Sequence, residues 1–165
     1  MSRRTQQNRP PVFFETYGEH QMVIGIIGES CTGKSSIANE LSKRINAEVY
    51  AGKDFLKLAK SESDARKLFS ELLSSNEYGD AVVVYVITDT EHITFLPPKA
   101  LRVLVTADID IIKERFAMRM NGKLPAPVAA MLEKKHGMFD KEKNDLHIHN
   151  AGKSISDICD KILAL

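Results

Sequence analysis

Apolar runs and helix-period segments alternate along the chain from residue 22 onward. The runs MVIGII at 22–27 and AVVVYVI at 81–87 are continuously apolar, which is typical of strands buried on both faces of a sheet. Between them, Ile37, Leu41 and Ile45 recur at helical spacing and form one apolar stripe. Strands that alternate with amphipathic helices predict βαβ units and a parallel sheet.

The pattern predicts an α/β fold of three layers, in which a parallel five-stranded sheet carries helices on both faces. The predicted strands are 22–27, 48–51, 81–87, 101–105 and 146–148. The predicted helices are 34–45, 54–60, 64–74, 108–120, 128–136 and 154–163. Ser154 and Asp157 have the spacing of a capping box at the start of the last helix. In such sheets, ligands bind at the carboxyl ends of the strands.

The first twenty residues differ from the rest. Residues 1–20 begin with three arginines and no acid before Pro10 and Pro11, and we expect a flexible arm, with a contact arm for a partner as the alternative. A short β-prone stretch at 12–17 is a candidate edge strand. The predicted globular domain is 21–165.

Composition narrows the function classes. The chain has 165 residues, 43% of them hydrophobic and 27% charged, and a formal net charge of +1, so bulk charge gives no reason to expect a nucleic-acid or membrane partner. The two cysteines, Cys31 and Cys159, are far apart in sequence, and a reducing cytoplasm fits this usage. We expect a cytoplasmic protein that is a monomer or a weak homodimer.

One motif carries chemistry with high specificity. The segment Gly28-Glu29-Ser30-Cys31-Thr32-Gly33-Lys34-Ser35 matches the pattern GxxxxGK[ST], follows a buried-strand pattern and opens an amphipathic helix. Glycines allow the loop to wrap a phosphate with its N–H groups, and the helix N-terminus adds positive potential. Lys34 is expected to reach the β- and γ-phosphates, and the Ser35 hydroxyl is expected to bind Mg²⁺.

The motif predicts that residues 28–36 bind ATP or GTP, with Ser36 continuing the contact from the helix. We expect ATP with Mg²⁺, since no NKxD element that would read guanine occurs in the sequence. Cys31, inside the loop, is either a spacer or a redox-sensitive position.

Beyond the loop, the chain resembles the nucleoside monophosphate kinases, nearest to cytidylate kinase and adenylate kinase. The segment Gly52-Lys53-Asp54-Phe55-Leu56-Lys57 is similar to the family's Gly-Asp-x-x-Arg segment, with lysine in place of arginine. The resemblance implies that Asp54 and Lys57 bind the phosphate acceptor. It also implies that Asp89 lies near Mg²⁺ or the acceptor.

Further resemblance follows toward the C-terminus. Arg115 and Arg119 resemble the arginines at the entrance of the family's mobile lid, which implies a catalytic role for both and a lid at about 121–140. Asn150 and Gly152, after the last strand, look like the loop that borders the adenine ring.

Plainer interpretations remain open for several of these residues. Arg115 and Arg119 also fit a solvated helix face, Asp54 an N-cap, Asp89 a turn cap, and Lys57 ordinary helix charge. His147 and His149 share a strand face, a spacing that can bind metal, but a structural role is favoured because no third ligand is near in sequence.

Three functions remain possible. The first is Mg²⁺-assisted transfer of the γ-phosphoryl group of ATP to a nucleoside monophosphate such as CMP or AMP. The second keeps the reaction but uses a small alcohol as acceptor, as in shikimate- or gluconate-type kinases, with Asp54 binding an acceptor hydroxyl. The third is a nucleotide-binding regulatory module with little turnover.

Overall fold

The structure is a computed structural model that describes residues 22–74 and 82–165; the predicted arm and the candidate strand at 12–17 lie outside these residues. All the strand pairs are parallel, and the strand order is β2-β3-β1-β4-β5. The strands are β1 Met22–Ile27, β2 Glu48–Ala51, β3 Val82–Ile87, β4 Leu101–Thr106 and β5 Leu146–His149. The predicted parallel five-stranded sheet is therefore confirmed.

Helices connect the strands. The α-helices are α1 Lys34–Ile45, α2 Glu62–Ser74, α3 Ile109–Arg119, α4 Ala126–Lys135 and α5 Ile155–Leu163. Two short 3-10 helices, Asp54–Leu58 after β2 and Thr90–Phe95 after β3, begin within three residues of the ends of their strands. The cap predicted for the last helix is present, since the Ser154 hydroxyl accepts a hydrogen bond from the Asp157 N–H at 3.5 Å.

Each face of the sheet buries its own core, because successive strand side chains point to opposite faces. On one face, Ile24 and Ile26 of β1 pack with the apolar stripe of α1 and with α5. On the other face, Val23 and Ile27 pack with α2, the two 3-10 helices and Phe139. The second core is rich in aromatic rings, and it lies below the carboxyl ends of β2 and β3. We call it the aromatic core.

The largest difference from the predicted elements is at 54–60. A regular helix was predicted there, but the structure has the 3-10 helix Asp54–Leu58. The Asp54 carboxylate accepts a hydrogen bond from the Ala51 N–H at 3.0 Å, which folds the chain tightly back on the end of β2. Such a local side-chain bond competes with helical hydrogen bonding and favours a turn.

A third, smaller core joins the phosphate loop to the helices beyond β4. Cys31 of the loop packs with Ala107, Ile112 of α3 and Leu132 of α4. The predicted lid segment thus lies directly against the loop. Among the described residues, no helix is long and apolar enough to cross a membrane.

Candidate active site

The loop predicted to bind phosphate lies between β1 and α1, against the carboxyl end of β4. A Cβ on Gly28 would stand 2.2 Å from the Val105 carbonyl oxygen, so only glycine fits this close approach. Gly33, which caps α1, has φ 97°, a left-handed conformation that favours glycine. Both glycines of the motif are therefore required by the backbone geometry.

Lys34, the first residue of α1, is buried against the loop. Its side chain is only 5% exposed, and its ammonium group donates to the Glu29 carbonyl oxygen. The same oxygen accepts from the Thr32 hydroxyl at 2.9 Å. The pKa of Lys34 is lowered to about 8, chiefly by burial; Cys31 and Glu29 oppose this shift, and the nearby Arg119 adds to it. Burial disfavours the charged form of this ammonium group, and a phosphate anion bound beside it would stabilise that form.

Arg115 and Arg119 of α3 lie beside the loop. The Arg115 guanidinium donates to the Cys31 carbonyl oxygen at 3.1 Å. Both arginines line a cavity of about 400 Å³ together with loop and α1 residues and the turn after β5. The other residues that line the cavity include Cys31, Gly33, Ser36, Asn150, Gly152 and Lys153. The structure thus brings five of the eleven residues predicted to bind the nucleotide together with both arginines around one cavity.

Asn150 has a contact that the sequence did not suggest. Its side-chain amide donates to the Thr32 carbonyl oxygen at 2.8 Å, while its backbone N–H donates to the Thr106 carbonyl oxygen at 2.7 Å. The side chain is 3% exposed. Asn150 therefore anchors the phosphate loop to the ends of β4 and β5, in addition to lining the cavity.

The hydroxyl and carboxylate predicted for Mg²⁺ are both exposed. Ser35 lies in the first turn of α1, and Asp89 follows β3, whose Ile87 carbonyl oxygen accepts from the Gly28 N–H at 3.1 Å. Asp89 also accepts from the Glu91 N–H at 3.1 Å and so caps the 3-10 helix after β3. Within the described residues, no three His, Cys, Asp or Glu side chains are grouped as metal ligands. Mg²⁺ commonly uses one or two protein oxygens with phosphate and water, and these residues fit that donor set.

On the acceptor side, Asp54 and Lys57 are placed differently from each other. Asp54 is fixed by its bond to the Ala51 N–H, next to Gly52, whose carbonyl oxygen accepts from the Tyr85 hydroxyl at 2.9 Å. Lys57 is 84% exposed and lies 3.9 Å from Asp54. An exposed pair at this distance is weakly held, so Lys57 is a solvated cation at the rim.

Arg66 of α2 is a residue of this region that the sequence interpretation missed. Its guanidinium lies 5.6 Å from the ring centre of Phe55 and 5.8 Å from that of Phe95. It also pairs with Glu62 at 2.9 Å and with Glu91 at 3.0 Å. Its hydrogen bond to Glu62 is the main reason why its pKa is raised. The spacing of Glu62 and Arg66 predicts only a helix-surface pair, so no local signal identifies this bridge.

A second missed feature joins the loop to the end of α4. The Glu29 carboxylate lies 3.1 Å from Nδ1 of His136 and accepts from the Gly137 N–H at 3.2 Å. Beside it, Lys113 of α3 forms an ion pair with Glu133 of α4. The predicted lid segment is therefore held to the loop by polar contacts as well as by Leu132.

His147 and His149 take part in a polar chain on the exposed face of β5. The Thr106 hydroxyl lies 2.7 Å from Nε2 of His147 and 3.2 Å from Nδ1 of His149, and His149 lies 3.3 Å from Asp108. These contacts link β5 to β4 and to the start of α3. They agree with the structural role favoured for the pair.

Several solved protein structures have a fold similar to that of this chain. A shikimate kinase from Acinetobacter baumannii, in complex with shikimate, matches with a TM-score of 0.62 and 16% identity, over 91% of this chain and 94% of that chain. A gluconokinase from Sinorhizobium meliloti 1021 matches with a TM-score of 0.59 and 15% identity, over 87% of this chain and 90% of that chain.

A third structure is an uncharacterized protein from Eubacterium ventriosum ATCC 27560, with a TM-score of 0.63, 20% identity, and coverage of 87% of this chain and 97% of that chain. No protein-family model and no curated protein matches the chain. At these identities the likeness concerns the fold alone. With its strand order and its loop after β1, the chain has the three-layer α/β fold of P-loop kinases.

Proposed function

We propose that this protein transfers the γ-phosphoryl group of ATP, with Mg²⁺, to a hydroxyl group of a small acceptor. The observation that carries the proposal is the convergence of two cations on one loop, where Lys34 and Arg115 bond to carbonyl oxygens of Glu29 and Cys31. Phosphoryl transfer depends mainly on positioning and on stabilising spread negative charge, which such cations supply.

The proposed donor site is the cavity beside the loop. Backbone N–H groups of residues 28–36 and Lys34 hold the β- and γ-phosphates, while Arg115 and Arg119 stabilise the charge of the transferring group. The Ser35 hydroxyl and Asp89 hold Mg²⁺, which neutralises phosphate charge when bound. Gly152 and the wall after β5 border the nucleoside.

The proposed acceptor site lies at the carboxyl ends of β2 and β3, with Asp54 as a hydrogen-bond partner of an acceptor hydroxyl. We favour a small polyhydroxylated acceptor, as in shikimate- or gluconate-type kinases. Arg66 is already paired with two carboxylates, Glu62 and Glu91, and Lys57 is 84% exposed. A monophosphate acceptor needs cations that are free to pair with it. Arg66 is already paired and Lys57 is largely exposed to solvent, so these two residues offer little positive charge to such an acceptor.

A nucleoside monophosphate such as CMP or AMP is the second candidate acceptor. It is supported by the segment that contains Asp54 and Lys57, where a lysine stands at the family's arginine position. Binding of a dianionic phosphate there would have to draw Arg66 away from Glu62 or Glu91, which costs the existing ion pairs.

ADP release from MgATP with shikimate, gluconate, CMP or AMP tests the proposal, with each acceptor at millimolar concentration. We expect turnover with a polyhydroxylated acid and little with CMP or AMP. Turnover with CMP or AMP alone would reverse the choice of acceptor. Thermal stabilisation by MgATP without ADP formation for any acceptor would instead indicate a regulatory nucleotide-binding module.

A further inference from the structure

Glu29 stands out within the phosphate loop because it contacts two different catalytic elements. Its backbone carbonyl oxygen accepts from the Lys34 ammonium group. Its carboxylate, with a side chain only 9% exposed, reaches the end of α4, where it contacts Nδ1 of His136 and the Gly137 N–H. A buried carboxylate requires such partners, because burying it unpaired is costly.

The contact with Glu29 defines the state of the His136 ring. When Nδ1–H donates to the carboxylate, the proton of the neutral ring is on Nδ1, and Nε2 carries a lone pair. His136 is 38% exposed, and none of the described residues forms a hydrogen bond with Nε2. A ring nitrogen that is oriented through its partner and open at the other side has the arrangement of a general base.

The position of this pair is the second reason for a chemical role. Lys34, the group expected to hold the transferred phosphate, donates to the backbone carbonyl oxygen of Glu29, the residue whose carboxylate contacts the ring. Three residues after His136, Phe139 is buried in the aromatic core with Phe55 and Phe95. The chain from 136 to 139 thus runs from the donor loop to the core beneath the proposed acceptor site.

A purely structural role for the contact between Glu29 and His136 explains fewer of these observations. Packing of Leu132 on Cys31 and the pair of Lys113 with Glu133 already attach α4 to the loop and to α3. A carboxylate at Glu29 adds repulsion toward a polyphosphate, whereas a glutamine could accept from the Gly137 N–H without that charge. A carboxylate is, however, the partner that makes an imidazole a better base.

We propose that Glu29 and His136 form a dyad in which Nε2 of His136 takes the proton of the acceptor hydroxyl. The acceptor oxygen then forms a bond to the γ-phosphorus as the bond from that phosphorus to the bridging oxygen breaks, and ADP leaves with the electron pair. Glu29 acts as a positioning residue that stabilises the imidazolium. The inference rests on the proposed phosphotransferase function and identifies its base.

The charged groups around the ring come from three places. Glu29, whose backbone carbonyl oxygen accepts from Lys34, contacts it from the loop, and Lys135 precedes it in the chain. Asp140 lies beyond Gly137, its carboxylate 3.0 Å from where a Cβ on that glycine would be. Any pH effect assigned to His136 must therefore be separated from these groups by substitution.

The decisive variants are His136→Asn and His136→Ala. Asparagine keeps an N–H donor near the position of Nδ1, so an anchor survives, but it provides no base. We expect kcat to fall about 100-fold or more in both, within the range of general-base catalysis, while KM for ATP changes less than about threefold. Added imidazole should restore part of the activity of His136→Ala, and Glu29→Gln should lower kcat about 10-fold.

The assay uses MgATP with the hydroxyl acceptor that turns over, or with water as acceptor if none does. The acid limb of the profile of kcat against pH should disappear in His136→Asn. The control is His149→Asn, a histidine that also contacts a carboxylate but lies on the exposed face of β5. It should retain the wild-type rate and profile.

The outcomes separate the dyad from the wider proposal. If wild-type turnover depends on Lys34 but His136→Asn retains kcat and the acid limb, the dyad is wrong and the phosphotransferase function stands. If wild type and Lys34→Ala are equally inactive with every acceptor and with water, the phosphotransferase function fails, and the dyad with it. If His136→Ala does not fold, His136→Asn decides.

Discussion

The donor and acceptor sides of the candidate site are built in different ways. The donor side uses one contiguous loop, and the buried Lys34 and the two glycines of the motif are required there by the backbone itself. The acceptor side is assembled from the ends of two strands, a helix and two 3-10 helices, and its best-placed cation, Arg66, is neutralised by acids. A site made of contiguous residues can be predicted from the sequence, because its spacing is fixed along the chain. A site assembled from several elements can change its ligand specificity when any one of those elements changes.

The largest expected effect is on the donor side. Lys34→Ala should lower phosphoryl transfer on the order of 10³-fold or more, because it removes the cation that meets the γ-phosphate. The fold should survive, since removing a buried charge leaves the surrounding core intact. Steady-state kinetics and circular dichroism measure the two effects. Lys43→Ala, an exposed lysine of the same helix, is the control, and turnover equal to wild type in Lys34→Ala would refute the donor site.

A second prediction concerns pH and again tests the donor side. The pKa of Lys34 is lowered to about 8 by burial, whereas the same group in the unfolded chain titrates near 10.5. A bound polyphosphate stabilises the ammonium form and raises the pKa, so nucleotide binding takes up a proton above pH 8. Affinity for MgATP should fall about tenfold per pH unit as the pH rises above 8.

Stability of the free protein should show the opposite trend. Between about pH 8 and 10.5 the unfolded chain holds more protons at this lysine than the folded chain, so the free energy of unfolding rises with pH through that window.

Calorimetry in two buffers of different ionisation enthalpy measures the proton uptake on MgATP binding. An affinity independent of pH between 7.5 and 9.5 in wild type would contradict the assignment; Lys34→Ala should show that flat profile.

The smallest expected effect is on the acceptor side. His92, in the 3-10 helix after β3, is 3% exposed, and its Nδ1 has no hydrogen-bond partner among the described residues. Its ring lies 5.7 Å from that of Phe55 and 6.0 Å from that of Phe95. His92→Phe should therefore stabilise the protein by about 1 kcal/mol, because an unpaired buried nitrogen is removed without loss of volume.

Thermal unfolding measures that change, and Phe95→Leu, which removes an aromatic contact from the same core, is the matched control and should destabilise. A large loss of stability in His92→Phe would show that the ring nitrogen has a partner that matters. On the donor side, no equivalent apolar replacement is expected to be neutral, because the polar groups there are bound to the loop.

The strands predicted from the sequence agree with the structure, whereas the segment after β2, on the acceptor side, does not. The strands were predicted to within a residue, since continuous apolar runs such as Val82–Ile87 occur where a strand is buried on both faces. The segment after β2 was predicted as a helix but forms a 3-10 turn, because the bond from the Ala51 N–H to Asp54 overrides a weak helical pattern. The functional roles of Asp54, Lys57 and Asp89 stay predictions.

The sequence by itself predicted the loop at 28–35, because eight contiguous residues carry both the backbone conformation and the cation that a phosphate requires. It also determined the parallel sheet, because the order of apolar runs and helices leaves few other arrangements. Only the tertiary structure decided that Asn150 anchors the loop, that Arg66 is shared by two acids, and that Glu29 meets His136. These pairs are separated by up to 118 residues in the chain, and no local pattern records a contact made only when the sheet is assembled.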